Sequence, residues 1–280
     1  MKRLLLIPAL ILLLLDVSIA QQSLLWKVEG KGSQTSYLYG TFHIFPQEKF
    51  VLPEKVKTAF NQCDQLVMEL SMKEGMEMEM LKMAAMKDGT TLEDVLSPAD
   101  LVLLDSAIMA NGMSRSFFNT WKPFLITSMF YNQYMKNGVA SFELALQKMA
   151  LERDMEILGL ETVARQMEVF DAIPYKDQAD DLMDMVKNRD KYQKLFDEMV
   201  TTYMSEDIEA MMALTHREMN NLSEIEELLT KRNDEWIPKI KELIKSKPTF
   251  IGVGAGHLGG KEGVIALLKK EGYKVKPVFQ

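Results

Sequence analysis

Tyr37-Leu-Tyr-Gly-Thr-Phe-His43 and Thr249-Phe-Ile-Gly-Val-Gly-Ala-Gly-His257 are two apolar, strand-like runs that each break at glycine and then present a histidine. They stand at opposite ends of a 280-residue chain that has three histidines in all. If both histidines serve one site, the two chain ends must meet in one sheet, with the stretch between them carried outside it. Gly254-Ala-Gly-His-Leu-Gly259 also satisfies G-x-G-x-x-G, but a dinucleotide reading fails on context. The motif is too close to the carboxyl end, and the strand after it runs Val275-Lys-Pro-Val278 with no acid to hold a ribose hydroxyl. The expected task of the glycines is instead positive φ and close backbone approach, so that His257 projects beside exposed N–H groups at a helix start.

The first twenty residues are set aside. Met1-Lys-Arg3 is a positive n-region, Leu4 to Leu15 is apolar apart from Pro8, and Ser18-Ile-Ala20 is a small-x-small cleavage site before Gln21. This pattern predicts a secretory signal peptide. Its apolar run is about a dozen residues, short of the roughly 20 that span a bilayer. The expectation is an exported chain, periplasmic or secreted, with no stable membrane anchor after cleavage. The formal charge of −7 and the absence of a basic block argue against nucleic acid and anionic membrane as partners. One cysteine, Cys63, rules out an intrachain disulfide and is expected as a buried structural thiol.

Along the chain, Leu24–Glu29 and Ser36–Gly40 alternate around a Gly30–Gln34 turn and predict a β-hairpin. A helix over Glu54–Gln62 and a strand over Asp64–Leu70 follow, the strand carrying Glu69 near its carboxyl end. Met72–Lys87 is methionine-rich, which suits adaptable core filler better than a copper site. Thr91–Arg153 is dominated by helix signals, with capping patterns at Thr91 and Ser97 and an aromatic face along Phe117–Lys136. Met155–Leu160 predicts a strand running into a helix start at Glu161-Thr162. Asp171–Met204 and Ser205–Leu229 predict amphipathic helices, His216 being a surface residue of the second, and Leu228–Ile237 opens a helix that runs towards Ile244. The strand at Thr249, a helix over Gly263–Glu271 and a strand over Tyr273–Pro277 close the chain. The expected fold is therefore α/β, with α+β character. A central mixed sheet is built from both chain ends, and 21–280 forms one domain with large helical insertions at about 72–155 and 170–245.

His43, Glu69 and His257 at strand ends make two imidazoles and a carboxylate, the donor set of a catalytic metal site with an open position for water. A metal-free version is equally open on these residues: one histidine as general base, Glu69 orienting it, and backbone N–H groups with Arg232 steadying an oxyanion.

Tyr39-Gly-Thr-Phe-His43, Val67-Met-Glu-Leu70, Gly159-Leu-Glu-Thr162 with Gln166, Arg232-Asn-Asp-Glu-Trp236, and Gly252 to Gly260 with Gly272-Tyr273 and Pro277 together resemble the TraB/GumN (TraB/PrgY/GumN, Tiki-like) family. The resemblance covers nearly the whole mature chain. It implies a sheet-and-helix fold related to erythromycin esterase (EreA) and the haem-binding ChaN-like proteins. It also implies an active site of paired Gly-x-x-His motifs and a glutamate, and, through the Tiki branch, metal-dependent proteolysis of a peptide or protein substrate with Mn2+, Co2+ or Zn2+. Carried over by position, His43, Glu69 and His257 become metal ligands and catalytic residues, Arg232 joins them as catalytic, and Gly40, Gly254, Glu161, Gln166 and Asn233 become supporting residues. The other class of function left open is a non-catalytic envelope protein that sequesters a peptide pheromone or a haem-like ligand.

Overall fold

A computed structural model describes residues 23–71, 75–135, 137–218 and 225–279. The expected leader lies outside these residues, as do residues 72–74 of the methionine-rich stretch. Among the described residues eight strands form: β1 Leu25–Glu29, β2 Ser36–Thr41, β3 Phe45–Pro46, β4 Gln65–Leu70, β5 Val139–Ala140, β6 Glu156–Glu161, β7 Thr249–Gly254 and β8 Lys274–Pro277. Six of them make one mixed sheet in the order β6-β4-β7-β2-β1-β8, and β3 with β5 makes a separate two-stranded ribbon.

The sheet is the one expected from the two chain ends. β1 and β2 form the predicted antiparallel hairpin, with Leu25 opposite Tyr39. Its turn takes positive φ at Gly30, Lys31 and Gly32, which is why glycine flanks the lysine there. β7 lies between β2 and β4, parallel to both, and β6 extends the parallel set beyond β4. β2, β4 and β7 are buried along nearly their whole length, as suits parallel strands covered on both faces. Leu38, Leu66, Phe250 and Ile251 are wholly out of solvent. Each such side chain contributes about 1.5–3 kcal/mol of burial.

Covering helices supply the rest of this core. Val56 and Phe60 come from the Glu54–Asn61 helix, Leu146 and Ala150 from Phe142–Leu151, and Trp236, Ile240 and Ile244 from Lys231–Ser246. The helical middle has a core of its own, in which Leu92, Leu104, Ile108, Ile126, Phe130 and Leu182 pack together. Among the described residues no helix is long and apolar enough to cross a membrane.

Several helix expectations are corrected. The Phe117–Lys136 stretch is split into Arg115–Phe118, Pro123–Tyr131 and a 3-10 turn at Asn132–Tyr134. Pro123 opens the second piece and holds Lys122 in an extended conformation (φ −54°, ψ 126°). The buried ammonium of Lys122 donates to the carbonyls of Met83 and Ala85 at 2.6 and 2.8 Å, tying this break to the methionine-rich segment. Asp171–Met204 is likewise interrupted, once after the helix ending at Ala172, where Pro174 lies in the gap, and again after the helix ending at Lys187. The methionine segment forms the Met76–Met83 helix, where Met76 packs with Val163, Met167 and Phe170 as core filler. Cys63 is buried as expected, and burial pushes its thiol up to about 12, leaving it inert.

Candidate functional site

All four parallel strands deliver polar residues to the same carboxyl edge of the sheet, where open α/β sheets place their ligands. β2 ends at Thr41 two residues before His43, β4 carries Glu69 in its last turn of register, β6 ends on Glu161, and β7 ends at Gly254 before a 3-10 turn over Ala255–His257. Glu161 thus belongs to a strand end and not to a helix start; the helix begins at Val163, with Thr162 as its cap.

Glu69 is the hub. Its Oε1 accepts the Gly254 N–H at 2.8 Å and lies 3.9 Å from His43 Nε2 and 3.8 Å from His257 Nε2. Its Oε2 accepts from Arg232 Nη2 at 2.6 Å. Burial pushes the Glu69 carboxyl up, but His257, His43, Arg232 and the Gly254 N–H together hold it down at about 2.

The two glycines named in advance make this approach possible. A Cβ on Gly40 would lie 2.7 Å from Leu258 Cδ1, and one on Gly254 would lie 3.3 Å from Glu69 Oε1 and 3.5 Å from His43 Nε2. Close approach is therefore their task. Positive φ occurs in this turn at Gly260 and not at Gly254, Gly256 or Gly259. The expected helix start beside His257 is also absent, since the next helix begins at Val264.

Arg232 and Asn233, which look like surface residues of an amphipathic helix, are buried. The guanidinium spends its donors inside the site: on Glu161 through Nε and Nη2 at 3.1 and 2.6 Å, on Glu69, on the Leu228 carbonyl at 2.9 Å, and against His257 Nε2 at 3.2 Å. Gln166 adds a donor to Glu161 at 3.2 Å. A five-residue π-helical turn, Glu226–Thr230, precedes the arginine's helix. His216 is exposed on the Ile208–Glu218 helix.

The tautomer of His257 follows from its neighbours. Asn233 Nδ2 donates to the Glu262 carbonyl at 2.8 Å, which turns Oδ1 toward the ring, 2.7 Å from Nδ1. Nδ1 must then carry the hydrogen, and Nε2 presents its lone pair to Glu69 and Arg232. Burial lowers the ring's pKa to about 3 despite the pull of Glu69, so the imidazole is neutral at ordinary pH. Trp236 packs against it with ring centroids 4.4 Å apart.

His43 has the opposite setting. Its side chain is 62% exposed against 5% for His257. Crowding by protein atoms works against its charged form, but Glu143 and then Glu69 outweigh this and raise it to about 9. Glu143 was not singled out from sequence. Its Oε1 is 2.7 Å from His43 Nδ1, and Oε2 accepts the Ser141 hydroxyl at 2.8 Å. An acid in the first turn after a serine cap is what any stable helix start shows, so the pattern around Ser141 gave it no distinction.

Among the described residues no group of three or more His, Cys, Asp or Glu side chains is arranged as it stands to hold a metal ion. The nitrogens of His43 and His257 flank one carboxylate oxygen, and Arg232 stands beside them.

Residues 24–277 match the TraB/PrgY/gumN family across nearly all of the described chain. The chain belongs to that family. Among curated proteins it is similar to Metalloprotease TIKI1 of Danio rerio, at 20% identity over 91% of this chain and 63% of that protein. It is also similar to Metalloprotease TIKI1 of Xenopus tropicalis, at 23% identity over 90% of this chain and 61% of that protein. The chain thus spans less than two thirds of the length of these metalloprotease relatives. No solved structure matches it. The family membership and the mixed sheet agree with the reading from sequence, while the likeness to erythromycin esterase and ChaN stands as an expectation only.

Proposed function

We propose that this protein is an exported, divalent-metal-dependent hydrolase of peptides or proteins, working at the carboxyl edge of the parallel strands. The observation that carries the reading is the convergence of His43 Nε2 and His257 Nε2 on Glu69 Oε1, at 3.9 and 3.8 Å, over a backbone kept bare by Gly254. Likeness to metalloproteases supports the reaction class.

The donor set fits a borderline divalent ion in kind: two imidazole nitrogens and one carboxylate oxygen, approached from a cradle that a Cβ would fill. His43, His257 and Glu69 would hold it. When bound, such an ion lowers the pKa of its water to about 7 and polarises a carbonyl. Arg232 Nη1 lies against the lone pair of His257 Nε2, so the guanidinium and a cation compete for that nitrogen.

The chain's own groups do the remaining work. Asn233 holds the Nδ1 hydrogen of His257 and keeps Nε2 free of one. Gly254 N–H and Arg232 divide the two oxygens of Glu69 between them and keep the carboxylate charged. Glu161 neutralises the arginine and fixes its fork, itself steadied by Gln166. His43, at the solvent side, has Glu143 Oε1 2.7 Å from its Nδ1, which leaves Nε2 as the nitrogen that would be a ligand.

The test is metal analysis of chelator-treated and reconstituted protein, with turnover of a peptide library. Stoichiometric metal and activity lost in His43→Ala and His257→Ala are expected. No bound metal, together with hydrolysis unchanged in both variants, would sink the proposal.

A further inference from the structure

Glu143 stands where a short loop of structure closes on His43. Two residues after the histidine, Phe45 enters β3 and pairs with Ala140 of β5, and β5 runs directly into Ser141, Phe142 and Glu143. The ribbon of two residues per strand therefore brings the Glu143 carboxylate back onto the imidazole, with Oε1 2.7 Å from Nδ1. Phe142 locks the closure by packing on Phe45 and Phe50, with ring centroids 5.4 and 4.8 Å apart. Ser141 does two things at once: its oxygen receives the Leu144 N–H that starts the helix, and its hydroxyl donates to Glu143 Oε2.

An exposed histidine with an ordinary surface partner needs no such ring, because surface ion pairs contribute little to stability. Here the carboxylate is mostly buried, at 19% exposure, while the histidine faces solvent. We infer that Glu143 is the positioning residue of His43, fixing the imidazole by its Nδ1 side so that Nε2 is turned toward Glu69 Oε1. The approach is short, and buried Glu143 Oε1 has no other partner to accept from. Asn233 serves His257 in the same way from the opposite chain end. Each Gly-x-x-His histidine thereby has an oxygen acceptor at Nδ1 and its Nε2 directed at one shared carboxylate. Acceptors of this kind behind metal-binding histidines are worth about 10–100-fold in metal affinity. The effect expected on cation binding rests on the hydrolase reading above, whereas the positioning contact does not.

The experiment uses the full chain in two arms. In metal-free protein, imidazole 1H–15N spectra resolve three histidines, with His43 assigned by its loss in His43→Gln. Glu143→Ala is expected to move the His43 Nδ1 signal and to leave that of His257 in place, with Glu143→Gln much closer to wild type. By calorimetry with Zn2+, Glu143→Ala is expected to bind roughly 10–100-fold more weakly, and turnover should show lower kcat at unchanged KM. If the alanine variant does not fold, Glu143→Met keeps the length without the oxygens and gives the same readings. His43 signals that do not respond to loss of the Glu143 oxygens would overturn the inference, as would wild-type Zn2+ affinity in a folded Glu143→Ala. Wild type that binds no Zn2+ but whose His43 signals depend on Glu143 would overturn the metal chemistry and leave the positioning role standing.

Discussion

His43 and His257 share a strand end and a glycine three residues before, yet they are built into opposite environments. His257 is enclosed by Trp236, Arg232 and Asn233 and kept neutral; His43 faces solvent, leans on Glu143 and has its pKa raised. The same local sequence therefore gives one enclosed imidazole with a lowered pKa and one solvent-facing imidazole with a raised one, and the difference comes entirely from residues distant in the chain. A site with that asymmetry separates a structural half from a working half.

The most damaging change to the structural half should be Arg232→Met. It leaves Glu69 and Glu161 buried without their counter-charge, and a loss of about 3–5 kcal/mol is expected in urea unfolding. Stability within about 1 kcal/mol of wild type would mean that the guanidinium is not what holds the two acids together. Next comes the contrast itself. His257→Ala should cost about 2–4 kcal/mol through lost packing and stranded partners, while His43→Ala should stay within about 1 kcal/mol. Both should lose turnover, so urea midpoints measured beside activity separate the halves, and equal midpoints would break the comparison.

Gly40→Ala should cost about 1–3 kcal/mol, because the new methyl meets Leu258 and the Ala255 backbone in a filled interior. Gly254→Ala should be milder in stability but should narrow the space between Glu69 and His43, which a fall in metal affinity at near-normal Tm would register. The smallest effects are in pH dependence. His257 is depressed in the fold, so its contribution is complete above its ordinary value near 6.5 and is lost as pH falls toward 3. His43 is raised, so its contribution is complete below 6.5 and is lost as pH climbs through about 9. Urea midpoints across pH should flatten on the acid limb in His257→Gln and on the alkaline limb in His43→Gln. Flattening on the same limb in both variants would contradict the assignment.

How far the sequence could be read depended on range. The hairpin, the strands at Gln65 and Thr249 and their carboxyl-end acids and histidines follow from short apolar patterns, and so do the capped helices at Thr91 and Ser97. Asn233 and Arg232 were legible as a motif but not as buried residues, since an amphipathic helix shows which face is polar and not what that face meets. Glu143 was illegible because its role depends on the β3–β5 ribbon, whose two-residue strands carry no period. The glycines of the carboxyl turn were recognised for close approach, but their φ values depend on a 3-10 turn that the pattern does not distinguish from a helix start.

β7 is inserted between β2 and β4, strands that come from the first quarter of the chain and are not paired with each other in this sheet. A nascent chain therefore has a gap where its central strand belongs, and closing it demands contacts across more than two hundred residues, the slow kind of pairing in folding. Glu69 lacks the Gly254 N–H and His43 lacks its opposite imidazole until that strand arrives. The order of synthesis thus delays the site: its three groups cannot meet until nearly the whole chain has been made.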